Sequence, residues 1–280
     1  MNLILAAAAN YNIEQLKNFI YSARLYCDCD IALAAQNIDN ETTAWLKAHG
    51  VLIFQHRLSS IPICSSRYFS YKKILSLLPE YKHIFLTDIR DLVFQRDIFS
   101  LMDSGDLHVF AEVYDRRIKD CIYNSDWIIN FYGPGIHELY KNKLVICSGT
   151  TLGGRKAIEV YLDAMIPQIE TAIAQDKLMT GQDQGIHNIL IHSNELLEKL
   201  FRAGSNLQVR RNGDMILTAA FVKEFNLTYD AVGQAVIKNA DNTVPAVIHQ
   251  YDRHKFLVDV FDAQYSRILK ENMPAPASLP

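Results

Sequence analysis

The first third of the chain alternates short apolar runs with stretches of helical periodicity, which restricts the fold more than any other feature of the sequence. The apolar runs predict buried strands at residues 3–8, 31–35, 51–54 and 84–86. Between them, apolar residues at helical spacing predict helices at residues 13–26, 41–49 and 66–78. Strands that alternate with helices pair in parallel, because the intervening helix returns the chain to the starting edge. We therefore predict an α/β fold with a mostly parallel central sheet and helices on both faces.

The second half of the sequence is less regular and predicts a mixed C-terminal part. Helical periodicity covers residues 125–131, 155–174, 182–192 and 261–272. Strand-like pieces lie at residues 108–113, 144–152, 207–210, 215–218 and 246–249. Residues 114–143 and 201–242 are the least regular. The Pro-rich tail at 273–280 is typical of a disordered terminus.

Acidic side chains follow the apolar run at 84–86, where the predicted strand ends. Ligands of open α/β sheets bind just beyond the carboxyl ends of strands. Two carboxylates there, Asp88 and Asp91, could hold a divalent cation through oxygen ligands. In the alternative, Asp88 or Asp97 caps a helix and Arg90 pairs with Asp91 on the surface. This segment alone leaves both interpretations open.

Composition argues against several classes of partner. The 280 residues carry a net charge of -3 without a run of Lys or Arg, which argues against nucleic acid. The five cysteines show no convincing paired spacing, which indicates reduced thiols. The apolar N-terminus lacks a basic region and is too short to span a bilayer. We expect a cytoplasmic protein with no integral membrane segment, and peripheral contact with the inner membrane surface stays open.

Three further polar clusters follow predicted strands or begin predicted helices. Small residues around Gly149 would let the backbone approach a ligand, although they also suit a β-bulge. Asp183 lies near a helix start, where an acidic residue is also a common cap. His249 ends an apolar strand and is followed by Arg253 and Lys255, which together suit a metal-bound phosphate. Taken singly, the first two clusters favour the structural interpretation.

The order of these clusters carries more information than any one of them. The motifs are Ala9-Asn10-Tyr11, Ser66-Arg67-Tyr68-Phe69, Asp88-Ile89-Arg90-Asp91, Cys147-Ser148-Gly149, Gln182-Asp183-Gln184 with Asn188, and Val247-Ile248-His249 with Lys255. In this order they resemble GT-A glycosyltransferases over nearly the whole chain, most closely the glycogenin-like, retaining galactosyltransferase type and a related bacterial set. The resemblance implies a Rossmann-like GT-A fold and a sugar transferred from a nucleotide-diphosphate donor to a hydroxyl acceptor.

The resemblance also implies a role for each motif. Asp88, Asp91 and His249 would hold Mn²⁺, or Mg²⁺, against the donor diphosphate. Asp183 would lie under the sugar as a catalytic residue, with Gln182 as its catalytic neighbour. Asn10 and Tyr11 would bind the base of the donor, and Arg67 and Lys255 its phosphate or sugar oxygens. Ser148, Gly149 and Thr150 would surround the sugar. The other expected donor-binding residues are Asp88, Arg90 and Arg253.

One departure from the family pattern concerns the acid pair. The family has Asp-x-Asp, whereas here the third position is Arg90 and the second acid, Asp91, comes one residue later. Strict strand alternation would turn Asp88 and Asp91 to opposite faces. A β-bulge or the start of a turn would restore convergence, and we favour the bulge. In the alternative, Arg90 itself replaces the charge of the metal.

The sequence therefore predicts a single GT-A domain over residues 1–272, with a nucleotide-binding half at 1–113 and an acceptor and sugar half at 114–272. The favoured donor is uridine-linked, and retention of configuration follows only from the resemblance. An inverting enzyme would need a general base, for which Asp126, Asp214 and Asp252 are unassigned acids. The alternative function is a nucleotide- or sugar-binding protein without turnover. A nucleotidyltransferase or phosphatase is less favoured, because the chain lacks a Gly-rich phosphate loop.

Overall fold

A computed structural model describes residues 1–57, 60–102, 104–231 and 233–272, with side chains as far as residue 266. The predicted disordered tail at 273–280 lies outside these residues. The strands are β1 Asn2–Ala9, β2 Asp30–Gln36, β3 Val51–Gln55, β4 His83–Thr87, β5 Leu92–Phe94, β6 Leu107–Ala111, β7 Ile146–Gly154, β8 Leu207–Arg210, β9 Ile216–Thr218, β10 Asn226–Tyr229, β11 Ala235–Lys238 and β12 Val247–His249. The α-helices are α1 Ile13–Tyr26, α2 Asn40–Ala48, α3 Ile63–Leu77, α4 Ile122–Tyr132, α5 Pro134–Tyr140, α6 Arg155–Ala174, α7 Gln182–His192, α8 Asn194–Arg202 and α9 Lys255–Asn272.

The central sheet has the strand order β3-β2-β1-β4-β7-β6-β8. Strands β1 to β4 are mutually parallel, and β6 is parallel to β8. Strand β7 runs antiparallel to both of its neighbours, β4 and β6. Strands β4 and β6 therefore point the same way, and their carboxyl ends meet at one edge. The mostly parallel sheet predicted from the sequence is confirmed.

Helices cover both faces of this sheet, as predicted. The side chains of β1 alternate between two apolar clusters, because successive residues of a strand point to opposite faces. Leu3 and Leu5 pack with residues of α3 and α6 on one face. Ile4 and Ala6 pack with residues of α1 and β5 on the other. The central strands are therefore buried on both sides, which explains their continuous apolar sequence.

A small second sheet lies beside the first and has the order β5-β12-β9. Strand β5 begins directly after the acidic turn at the end of β4, and it pairs antiparallel with β12. Strands β10 and β11 form a separate antiparallel pair. These short strands and the antiparallel β7 account for the mixed C-terminal part.

Some element boundaries differ from the prediction. The helix predicted at 125–131 begins earlier and is α4, and the last helix begins at Lys255 instead of 261. The sequence did not reveal α5, α8, β5, β10 or β11, which are short or lie in the irregular part of the chain. Of the helices in the described part of the chain, none is long and apolar enough to cross a membrane.

Candidate active site

The acidic motif lies at the carboxyl end of β4, in a turn that joins β4 to β5. The backbone N–H of Asp88 donates to the carbonyl of Gly149 on β7, 2.8 Å away, which holds the end of β4 against its neighbour. In the β5–β12 pair, Leu92 lies opposite His249. Because Leu92 directly follows Asp91, this pairing brings an imidazole that is distant in sequence next to the acidic turn.

Asp88, Asp91 and His249 form a compact triad. Each offers one potential ligand atom, and these atoms lie within 4.8 Å of one another. His249 Nε2 lies 3.2 Å from Asp88 Oδ2 and 3.9 Å from Asp91 Oδ1. The two carboxylates converge through the turn between β4 and β5. The predicted β-bulge is therefore wrong, because a turn and not a bulge joins the two strands here. The predicted convergence of Asp88 and Asp91 is present.

The triad carries opposing electrostatic influences. Burial raises the pKa of Asp88, but Arg67 and His249 outweigh it and hold that pKa below its usual range. Burial raises the pKa of Asp91, and His249 only partly opposes this. Burial lowers the pKa of His249, but Cys147 and the two aspartates bring it well above its usual range. The carboxylates and the imidazole therefore favour each other's charged forms, against the effect of burial.

Arg67 connects the triad to Asp183. Its guanidinium forms an ion pair with Asp88 and donates to Asp183 Oδ2, 3.2 Å away, and to the carbonyl of Ser148, 3.1 Å away. Arg67 is buried and lies on α3. In the sequence prediction it binds phosphate or sugar oxygens. In this structure its charge compensates two carboxylates of the chain itself.

Asp183 lies in the first turn of α7 and is only 2% exposed. Its Oδ2 accepts from the Ser148 hydroxyl at 3.0 Å as well as from Arg67. Burial raises its pKa, and Arg67 and Ser148 oppose that effect. Helix α7 begins after Gly181, which has φ +83. A Cβ at this position would overlap the Trp127 ring. A glycine is thus required where α7 passes close to α4.

A cavity of about 200 Å³ opens beside the triad at the ends of β1 and β4. Its lining includes Tyr11, Cys64, Arg67, Arg90 and the two aspartates of the triad. The preceding residue, Asn10, is exposed and has φ 60, a left-handed conformation that asparagine tolerates better than most residues. The predicted nucleotide loop therefore lies at the same edge of the sheet as the triad.

The remaining predicted donor residues have other partners in this structure. Arg90 forms an ion pair with Asp252 at 2.8 Å, although it also lines the cavity. Arg253 pairs with the same Asp252 at 3.2 Å. Lys255 is 82% exposed and pairs with Asp259 one turn along α9. The roles of Arg253 and Lys255 at the donor stay predictions that these contacts do not support.

The side chain of Gln182 makes structural contacts, and Thr150 lies within the central sheet. Gln182 is fully buried and donates to the carbonyl of Trp127 on α4, 2.8 Å away. Thr150 is buried in β7 opposite Thr87 of β4. The catalytic role assigned to Gln182 stays a prediction, but its hydrogen bonds turn it towards α4.

The sequence analysis missed Glu112 and named Gln184 without giving it a role. Gln184 Oε1 accepts from the backbone N–H of Ser148 at 3.4 Å. Glu112 follows β6 and is only 6% exposed. Burial raises the pKa of Glu112, against the influence of Arg116 and His249. The sequence did contain a signal for Glu112, because it is an acidic residue directly after the apolar strand β6. The same kind of signal identified Asp88 after β4.

Comparison with known proteins identifies the architecture. No protein-family model and no curated protein matches the sequence. The crystal structure of the galactosyltransferase LgtC with donor and acceptor sugar analogues aligns with 99% of this chain and 98% of its own, at 13% identity and a TM-score of 0.61. An active-site glutamine-to-glutamate mutant of LgtC aligns over the same shares at 14% identity and a TM-score of 0.57. The chain has a GT-A fold.

The triad of this GT-A fold has a donor set that fits a divalent cation. Two carboxylates and one imidazole suit Mn²⁺ somewhat better than Mg²⁺, which favours oxygen ligands alone. Gly149 passes directly beneath the triad. A Cβ on it would overlap Asp88 Oδ2 and lie 3.1 Å from His249 Cε1. The absence of a side chain at this position leaves room for Asp88 and His249 to face each other.

Proposed function

We propose that this protein is a glycosyltransferase that moves a hexosyl group from a nucleotide-diphosphate sugar to a hydroxyl acceptor. The observation that carries the proposal is the triad of Asp88, Asp91 and His249, whose two aspartates line the same cavity as Tyr11. The GT-A fold supports it, because ligands of such sheets bind at this edge. The similarity to LgtC, a galactosyltransferase solved with donor and acceptor sugar analogues, adds support for the reaction class.

The proposed donor is a UDP-sugar. In this proposal the Tyr11 ring, which lines the cavity, stacks on the base, and the exposed Asn10 beside it bonds the edge of the base. Asp88, Asp91 and His249 would hold Mn²⁺, or Mg²⁺, at the diphosphate. When bound there, the cation would neutralise the charge of the leaving diphosphate. His249 would bind the cation as a neutral imidazole, because only that form is a ligand.

In this proposal Asp183 and Arg67 act at the sugar. Asp183 is held by Ser148 and Arg67, which fixes its carboxylate without leaving its charge uncompensated. A fixed carboxylate stabilises positive charge that develops at the anomeric carbon as the glycosidic bond breaks. Retention of configuration belongs to the proposal and depends on the family resemblance. Proton NMR of fresh product tests it, and a β-linked product from an α-donor would refute retention.

A thermal-shift screen with UDP-sugars tests donor and metal together. A ligand at one hundred times its dissociation constant adds about 2.7 kcal/mol to the free energy of unfolding. We expect UDP to raise the melting temperature with Mn²⁺ and to raise it much less in EDTA. Equal shifts in both buffers would remove the metal from the proposal.

The second candidate, a binding protein without turnover, is favoured by one observation. Arg67 and His249 already compensate Asp88 within the protein, and Arg90 is paired with Asp252. Release of free UDP from a panel of UDP-sugars distinguishes the candidates. For a glycosyltransferase, Asp88→Asn lowers the release rate by about a hundredfold or more, because it removes a carboxylate that would hold the cation at the leaving diphosphate. Donor binding without detectable release would favour the binding protein.

A further inference from the structure

Two aromatic side chains of α4 lie next to the start of the helix that carries Asp183. Tyr123 and Trp127 are one turn apart on α4, and their ring centres lie 6.0 Å apart with the ring planes inclined by 31°. Residues four positions apart on a helix are neighbours on its surface. Tyr123 is 66% exposed, whereas Trp127 is partly buried. The two rings form one aromatic surface, which we call the α4 aromatic pair.

Gly181 connects this pair to the candidate active site. Because a Cβ on Gly181 would overlap the Trp127 ring, that ring lies directly against the backbone from which α7 begins. Cys64 lies close enough to the backbone of Gly181 and to the Asp183 carboxylate for both to influence the pKa of its thiol. The same Cys64 lines the cavity in which we place the donor. Gly181 is therefore in contact with the aromatic pair and with the lining of the donor cavity.

A second set of contacts joins α4 to the surroundings of Asp183. Gln184 Oε1 accepts from the backbone N–H of Ser148 at 3.4 Å, and Gln184 Nε2 lies 3.5 Å from Asn124 Oδ1. Asn124 directly follows Tyr123 in α4, and the hydroxyl of Ser148 donates to Asp183. Side-chain hydrogen bonds thus hold the beginning of α4 beside the residues that fix the Asp183 carboxylate.

The polar groups of the aromatic pair are available to a ligand. Among the residues that the structure describes, the Tyr123 hydroxyl and the Trp127 indole N–H have no hydrogen-bond partner. Asp126 lies on the same side of α4, is exposed, and likewise has no partner among the described residues. A pyranose ring has an apolar face of C–H groups and a rim of hydroxyls. Aromatic rings with a few polar groups at their edges suit such a molecule.

We infer that the α4 aromatic pair is an acceptor subsite that binds a neutral pyranose ring. The C–H face of the sugar stacks on Tyr123 and Trp127, and its hydroxyls bond the tyrosine O–H, the indole N–H and the Asp126 carboxylate. That carboxylate has no cation beside it and would repel an acidic sugar. The acceptor is therefore a neutral glycan and not a protein side chain. The inference rests on the proposed function, of which it names the acceptor class and two residues that select it.

Tryptophan fluorescence of the full chain tests the subsite, because the chain has only two tryptophans, Trp45 and Trp127. Trp45 lies on α2 and packs against Tyr21 and His49. The probes are the methyl glycosides of glucopyranose, galactopyranose and mannopyranose, each titrated alone and with UDP and Mn²⁺. A serine tripeptide represents a protein acceptor.

We expect at least one methyl glycoside to change the emission in a saturable way and the tripeptide to leave it unchanged. Trp127→Phe leaves Trp45 as the only indole and should abolish the response. The inference is overturned if no glycoside gives a saturable change in either condition, if the tripeptide binds instead, or if the response persists in Trp127→Phe.

Substitutions of Tyr123 test whether stacking holds the sugar. Tyr123→Ala removes one ring from an exposed position and should weaken glycoside binding by about threefold to tenfold. Tyr123→Phe retains the ring and should recover most of the affinity. Tyr229→Ala is the matched control, because Tyr229 is 65% exposed and lies on β10. Unchanged affinity in Tyr123→Ala, an equal loss in the control, or no recovery in Tyr123→Phe would refute the stacking surface.

The two proposals fail separately. UDP release from a donor, together with glycoside binding that does not depend on Tyr123, would leave the glycosyltransferase standing and remove this subsite. Glycoside binding that depends on Tyr123, without UDP release from any donor, would leave a sugar-binding site and remove the transferase.

Discussion

At the scale of single residues, Gly149 controls the geometry of the triad. A methyl group on it would overlap Asp88 Oδ2 and approach His249, so Gly149→Ala should push the Asp88 carboxylate out of place. Displacing an oriented metal ligand typically costs 10–100-fold in affinity, so we expect UDP binding in Mn²⁺ to weaken by about tenfold or more. Isothermal titration with Mn²⁺ and with EDTA measures this effect.

Gly135→Ala is the matched control for this substitution. Gly135 lies in α5, where a Cβ would meet nothing within 4 Å. The control should leave UDP affinity unchanged and slightly raise stability, because alanine favours a helix. Unaltered Mn²⁺-dependent UDP binding in Gly149→Ala would show that the triad is not the nucleotide site.

A second prediction at this scale concerns the buried pair of Arg67 and Asp183. Both side chains are less than a tenth exposed, and they lie 3.2 Å apart. Arg67→Met leaves the Asp183 carboxylate buried without its cation and should lower the free energy of unfolding by about 3–5 kcal/mol. Adding Asp183→Asn should restore part of the loss. Urea unfolding of both single variants and the double variant measures the coupling, expected at about 1–3 kcal/mol. Additive losses would contradict it.

The sequence could predict the triad but not the contacts around it. Asp88 and His249 each end an apolar strand, which is a local signal. Arg67 was recognised as a functional residue, yet its ion pairs with Asp88 and Asp183 depend on how three separate elements pack. Lys255 looked like a phosphate ligand because it follows His249, but α9 begins there and turns it to solvent. Local sequence does not specify such orientations.

At the scale of elements, the pairing of β5 with β12 brings His249 to the aspartates. Gln95, directly after β5, holds this region together. Its Oε1 accepts from the N–H of Ile237 at 2.6 Å, and its Nε2 donates to the carbonyls of Ile237 and Pro245, both at 3.1 Å. One buried side chain thus satisfies backbone groups of β11 and of the segment before β12.

Gln95→Ala should therefore weaken both the fold and the metal site. It leaves three backbone groups without this partner, so we expect a loss of roughly 2–4 kcal/mol in the free energy of unfolding. Mn²⁺ affinity should fall as well, because β12 carries His249. Gln55→Ala, at an exposed position on the edge strand β3, should change stability by less than about 0.5 kcal/mol. Urea unfolding and Mn²⁺ titration of both variants test this, and equal effects would refute the role of Gln95.

Long elements were predicted more accurately than short ones. Helix α6 was predicted with its observed bounds, because its twenty residues repeat the helical period several times. Strands β9 and β12 were predicted as the strand-like pieces at 215–218 and 246–249, but β5, which also has three residues, was not predicted. The pairing of β5 with β12 is long-range, since these strands lie far apart in sequence. The main sheet could therefore be predicted from the sequence, whereas the pairing of the small sheet that completes the triad could not.

At the scale of the whole molecule, acid should destabilise the fold through buried histidines. His187 is fully buried against Tyr161, whose hydroxyl lies 2.7 Å from His187 Nδ1. Burial lowers the pKa of His187 from its ordinary 6.5 to about 3. Burial also lowers the pKa values of His56 and His192. The folded protein therefore keeps these imidazoles neutral at pH values at which the unfolded chain protonates them.

The sign of the effect follows from proton binding. Because the folded-state pKa of His187 lies below the unfolded value, its contribution to stability is complete above pH 6.5 and declines as pH falls towards 3. At pH 5 the loss is about 2 kcal/mol relative to pH 7. His187→Gln, which cannot be protonated, should lose about 2 kcal/mol less than the wild type between these pH values.

Tyr161→Phe removes the partner but leaves the imidazole buried, so it should lower stability at every pH and keep the wild-type slope. Urea unfolding at several pH values measures all three proteins. A His187→Gln variant with the wild-type slope would mean that water reaches this imidazole and that the core around α6 and α7 is less closed than its packing indicates.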